Sequence, residues 1–179
     1  MVLKQYCKLY LKFSYIKYYL YIVNMNNFLV KTIIQPSTIE GAGTGRFFVE
    51  DQKKGTIIRK QKIGSESLYV IKNKEELSKY NLQLIKHFGH SKPKHSELKT
   101  NYVYLNFPPM NTNHSEDNNI DFIYVHDEKI TYLTKDVKAG DEMFQNYRNF
   151  EKVDWFEEYL HEKGEISARE LGILINSLA

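Results

Sequence analysis

The chain has a single cysteine, Cys7, so it can form neither an internal disulfide nor a cysteine-zinc cluster. One unpaired thiol suits a reducing, intracellular setting, cytoplasmic or nuclear. Long blocks of like charge are also missing. A net charge of +3 neither demands nor excludes a nucleic-acid partner, and no direct nucleic-acid contact is expected. No apolar run approaches a membrane span, because Lys4, Lys8, Lys12 and Lys17 interrupt the N-terminal apolar residues. The same lysines leave no uninterrupted apolar region of the kind a signal peptide needs. No internal repeat is visible. What remains is a chain of 179 residues with 42% apolar content, enough for one domain with an ordinary core.

Residues 1–25 differ from the rest. Tyr6, Leu9, Phe13, Ile16 and Leu20 alternate spacings of three and four, which places one apolar stripe on a helix. Three readings stay open for this extension: an appended segment before a start at Met25, a helix docked on the domain, or a basic amphipathic helix on a membrane surface. Residues 26–150 read as the main domain, with an insert at about 73–100, and residues 151–179 as a C-terminal helical cap.

From Phe28 onward short strands dominate. Phe28 to Ile34 is rich in β-branched residues and ends at Gln35-Pro36-Ser37. Gly41-Ala42-Gly43-Thr44-Gly45 is a glycine-rich loop, and Lys54-Gly55 marks a turn before Thr56-Ile57-Ile58. The spacing predicts a helix from Asn73, capped with Glu76 and carrying Leu77, Tyr80, Leu84 and Phe88, followed by a loop over 87–100. Tyr102 to Leu105 reads as a strand ended by Pro108-Pro109. Phe122 to Val125 and Ile130 to Leu133 read as a hairpin turning at Asp127-Glu128-Lys129. Two further capping boxes, Asp154 with Glu157 and Ser167 with Glu170, predict C-terminal helices, the first ending at Gly164. The fold class is α+β, mainly short β-strands.

Three constellations could carry chemistry. The glycine loop fits neither the dinucleotide fingerprint, since Arg46 stands at the third glycine, nor a phosphate loop, since no Gly-Lys-Ser/Thr closes it. It offers backbone that a ligand can approach closely, or else a bulged turn. Asn113-His114-Ser115 reads alone as a polar loop, and Lys138 to Tyr147 as a turn followed by a half-buried strand.

Their order changes this. Ser37-x-Ile39-x-Gly41-x-Gly43-x-Gly45-x-Phe47 is followed by Asn113-His114-Ser115 with Asn119 beyond it, and then by Gly140-Asp-Glu142 with Tyr147 five residues on. In the order of these motifs, over roughly Phe28 to Trp155, the chain resembles the SET-domain family of protein lysine methyltransferases. The resemblance implies small β-sheets around a knot-like core, an inserted helix, C-terminal helices and S-adenosyl-L-methionine as cofactor. Ala42, Gly43, Thr44 and Gly45 would present backbone to the methionine end of that cofactor, and Asn113 and His114 would bond its adenine and methionine portions. Tyr147 would be the catalytic tyrosine. Tyr102, Tyr104 and Phe150 would wall the lysine channel, with Phe150 and Trp155 capping the cofactor pocket from the C-terminal side. No metal is implied. The expected partner is a protein with an exposed lysine, a histone tail being the family's familiar target, and a homodimer is compatible with the fold.

The chain departs from the family at Met110-Asn111-Thr112, at Glu116 to Asn118, and at Phe144 and Asn146. These motivate the alternative of a catalytically degenerate SET-fold binding module. A second alternative takes His87, His90 and His95 as metal ligands.

Overall fold

The computed structural model describes residues 27–177; the amphipathic reading of residues 1–25 lies outside the described residues. Among the described residues ten short strands form four small sheets. β1 (Thr32–Pro36) pairs antiparallel with β2 (Thr44–Phe48). β3 (Ile57–Lys62), β9 (Glu128–Leu133) and β8 (Ile120–Val125) form an antiparallel sheet in that order. A second three-stranded sheet runs β4 (Leu68–Ile71), β6 (Val103–Asn106), β5 (Gly89–His90). The last, of β7 (Asn113–His114) and β10 (Phe144–Gln145), is parallel. Its two strands lie far apart in sequence, so the pairing brings two distant segments side by side.

The expected strand at Phe28 begins later, at Thr32, because Phe28 itself bridges to Arg59 and lies under two guanidinium groups. The expected insert helix is two helices, α1 (Lys74–Leu77) and α2 (Leu82–Phe88). Asn73 does cap the first, its side chain accepting from Glu76 N. Asn81 caps the second by accepting from Gln83 N, so a polar cap interrupts the apolar period. The stretch read as a loop after residue 87 contains β5. The hairpin turns at His126-Asp127, two residues rather than three, with His126 at φ 53°.

α3 (Asp154–His161) and α4 (Ala168–Ser177) complete the fold. Asp154 does not cap α3; Val153 stands at that position with no side-chain bond, and Glu157 is instead buried against Arg169 and Ser167. Gly164, at φ 74°, does end the helix. α3 gives Val153, Phe156 and Leu160 to one apolar cluster with Ile71, Leu77, Ile85 and Val103. A second cluster joins Phe48, Ile58, Met110, Ile120, Leu133, Val137 and Met143. Among the described residues no helix is long and apolar enough to cross a membrane.

Ser167 and Glu170 form a reciprocal capping box at α4, with Glu170 N donating to Ser167 Oγ at 3.2 Å and Ser167 N to Glu170 Oε2 at 3.0 Å. Replacing Ser167 with Ala should cost about 1 kcal/mol and lower Tm by about 2–4 °C in a thermal melt. An unchanged melt would show that α4 is held without its cap.

Candidate functional site

Glu142 ties the three motifs together. Its carboxylate is buried and accepts four hydrogen bonds: from Ser37 Oγ at 2.8 Å, Thr38 N at 2.8 Å, Thr38 Oγ1 at 2.6 Å and Asn113 Nδ2 at 2.8 Å. Burial alone would raise its pKa, but the bonds from Thr38, Asn113 and Ser37 outweigh burial and hold it below the usual range. Gly45 makes the arrangement fit, since a Cβ there would lie 2.0 Å from Glu142 Oε1. Asn113 Nδ2 also reaches Thr44 O at 3.2 Å. The glycine loop and the Asn-His pair therefore share one anchor.

The loop beyond that anchor is open. Gly41 and Gly43 have φ of 77° and 74°, and no atom lies within 4 Å of where their Cβ atoms would be. Their backbone can be approached from solvent without a side chain in the way.

His114 and Tyr147 meet through the parallel pairing of β7 and β10. Asn119 holds it, its side chain accepting from Phe144 N at 2.9 Å and donating to Glu142 O at 2.7 Å. Tyr147 N donates to His114 Nδ1 at 3.0 Å. With Nδ1 accepting, the neutral ring carries its proton on Nε2, and that buried atom has no partner. Burial lowers the pKa of His114, which favours this neutral form. The Tyr147 hydroxyl donates to Thr112 O at 2.5 Å, and burial pushes its pKa up to about 12, so it stays a donor at neutral pH. Its ring stacks on Phe150 with centroids 5.7 Å apart. From the outer side α4 lies against the pair: a Cβ on Gly172 would come within 3.0 Å of Tyr147 Cβ and 3.3 Å of His114 Cε1.

Beside Tyr147 is a cleft of about 60 Å³ whose walls include His90, Asn106, Met110, Thr112 and Phe150. Tyr147 and Phe150 thus stand together. Tyr102 and Tyr104 do not line this cleft: Tyr104 is buried with its hydroxyl 3.0 Å from Thr100 Oγ1 and its ring against Tyr124, and Tyr102 lies beside Lys72. Trp155 sits on α3, its indole donating to Asn101 O at 3.0 Å, on the apolar cluster of β4 and β6 and apart from the glycine loop. The three histidines of the metal reading do not converge, since His90 faces Lys129 and His95 lies 3.9 Å from Asp121. Among the described residues no group of three metal-ligating side chains forms. The roles of His90, Asn106 and Glu142 were not legible in sequence; only the Gly-Asp-Glu spacing pointed at Glu142.

No family model matches the chain, and no curated protein matches it. Solved structures do. A chain of a humanized mutant of the Chaetomium thermophilum Polycomb Repressive Complex 2, bound to an inhibitor, is similar at 25% identity and a TM-score of 0.50, over 69% of this chain and 16% of that one. The same fungal complex in an autoinhibited conformation bound to S-adenosylmethionine is similar at 22% identity and a TM-score of 0.51, over 75% and 17%. The fold is that of the SET domain. This SET-like chain spans about a sixth of the length of those structures' chains. Its short strands in small sheets and its few helices match the expected α+β, SET-like fold class.

Proposed function

We propose that this protein is an S-adenosylmethionine-dependent protein lysine N-methyltransferase acting on an exposed lysine in an extended segment, such as a histone tail. Residues 26–150 are its catalytic domain and 151–179 its C-terminal cap. One observation carries the reading: a glycine loop, an Asn-His pair and a half-buried tyrosine, separated by up to about a hundred residues, are held at one place by Glu142 and the β7–β10 pairing. Likeness to a complex bound to S-adenosylmethionine supports it.

The residues present fit that cofactor. Gly41 and Gly43 leave the loop backbone open, so residues 42–45 would hold the methionine portion, with Asn113, which reaches Thr44 O, and His114 on the adjoining strand for the rest. When bound, S-adenosylmethionine supplies a methyl group made electrophilic by a sulfonium. The chain's own residues do the remainder. The cleft beside Tyr147 strips water from a lysine side chain, which lowers the amine's pKa. Phe150 and Met110 pack its methylenes, and Thr112 O with the Tyr147 hydroxyl fixes the direction of the amine for in-line attack.

The departures from the family pattern take structural roles that leave this arrangement intact. Asn146 caps the 3-10 turn at Tyr147–Asn149, Met110 is buried in the core, and Phe144 acts through its backbone. Titration calorimetry should show saturable S-adenosylmethionine binding, and labelled cofactor should transfer its methyl to core histones. Absence of binding would defeat the enzyme, whereas binding without transfer would establish the degenerate binding module.

A further inference from the structure

Lys129, the second residue of β9, points into the interior and is 3% exposed. Its hydrogen-bond partners are His90 Nε2 at 2.6 Å and Asn106 Oδ1 at 3.2 Å, neither of them an acid, and its Nζ lies 4.1 Å above the Phe122 ring. A buried ammonium without a carboxylate is costly, and apolar residues would stabilise the fold as well. Two basic nitrogens 2.6 Å apart cannot both be cationic, so the pair takes up one proton and not two. His90 and Asn106 also wall the cleft that holds Tyr147 and Phe150. The pair therefore lies at the edge of the space where, on the function proposed above, a lysine ammonium must lose a proton before it can attack.

The other nitrogen of His90 suits both states of such a transfer. Nδ1 lies 3.5 Å from Asn106 Nδ2, a donor to it when it is unprotonated, and 3.4 Å from Phe88 O, an acceptor when it is protonated. We propose that His90, backed by Lys129, is the proton acceptor for the substrate amine. An N–H bond of the substrate ammonium breaks and its proton binds His90 Nδ1. The ring passes its Nε2 proton to Lys129 Nζ, leaving a neutral substrate amine, a neutral imidazole and a Lys129 ammonium donating to Nε2 and to Asn106 Oδ1.

The charged and titratable groups facing the pair all bear on how readily it takes up a proton. Burial drives His90 well below its usual pKa, with Lys129 and then Arg59 of β3 adding to it, against opposing bonds from the Phe88 and Tyr104 backbones. Lys129 is lowered by burial and by Arg59, with Asp121 of β8 opposing. Tyr104 and Tyr124 are kept protonated by burial.

The test compares the parent with Lys129→Met, assayed with labelled S-adenosylmethionine and core histones across pH. At pH 7 the variant should turn over about 10²-fold more slowly with cofactor affinity unchanged. The gap should close toward about pH 10, where the substrate lysine arrives already neutral. A ratio constant across pH indicates a structural role and overturns the proposal. A second readout uses the cofactor-free parent, labelled with ¹⁵N-histidine and titrated with n-butylamine. The His90 signal should move from the Nε2–H to the Nδ1–H form, and an unmoved signal overturns the proposal. A parent that neither binds S-adenosylmethionine nor labels histones defeats the proposed function instead, and the butylamine titration then decides the acceptor on its own.

Discussion

Tyr147→Phe should lower kcat by about 10²-fold or more, equivalent to about 3 kcal/mol of transition-state stabilisation, while S-adenosylmethionine binding stays as in the parent. The change removes one oxygen and keeps the ring that stacks on Phe150 and contacts His114. Tyr147 N still donates to His114 Nδ1, so the backbone around the Asn-His pair should not move. Only the bond to Thr112 O is lost, at a cost of about 1 kcal/mol in stability. Because the hydroxyl directs the amine at the moment of attack, kcat and kcat/KM should fall together. A variant that methylates as fast as the parent would remove Tyr147 from the mechanism. The variant should also differ in alkaline stability. The pKa of Tyr147 is raised from 10 to about 12 by burial, so the unfolded chain ionises first and the parent loses stability as pH rises through that interval. The phenylalanine variant should lack this loss in denaturant titrations.

Gly45→Ala should be the most damaging small substitution at the site. Its Cβ would meet Glu142 Oε1 at 2.0 Å, and the Glu142 side chain cannot withdraw without releasing Ser37, Thr38 and Asn113. Crowding together with the loss of bonds to a buried carboxylate should cost about 2–4 kcal/mol. Cofactor affinity should fall with it, because the glycine loop and Asn113 lose their common anchor. The same anchor predicts a pH dependence. The folded pKa of Glu142 lies below its ordinary value of 4.5, so its stabilisation is present above that value and is lost as pH falls through the folded pKa. Glu142→Gln should flatten the acid limb of the stability profile. An acid limb identical to the parent's would show that the carboxylate does not hold the loop.

Much of the local structure could be read without coordinates, wherever a residue decides its own conformation. Gly41, Gly43, Gly55, Gly140 and Gly164 all take positive φ at turns or loops marked by glycine. Asn73 and the Ser167–Glu170 pair cap helices where their spacing predicts, since a cap needs only its neighbours within one turn. The failures came where a side chain had a distant alternative. Glu157 has capping-box spacing from Asp154, yet it is taken by Arg169 and Ser167. Tyr104 packs against Thr100 and Tyr124 and does not line the cleft beside Tyr147.

The sequence by itself determined the identity and order of the motifs, and with them the fold class and the residues most worth testing. Tertiary structure alone decided how they meet. Ser37 and Glu142 are 105 residues apart, and no local preference encodes such a contact. Tertiary structure also decided which face of β9 turns inward. One face carries Glu128, Ile130 and Tyr132 and the other Lys129, Thr131 and Leu133, and the pairing with β3 and β8 buries the second. Strand register is set by partners, and a shift of one residue exchanges the two faces. That choice brings Lys129 to His90 at the wall of the cleft.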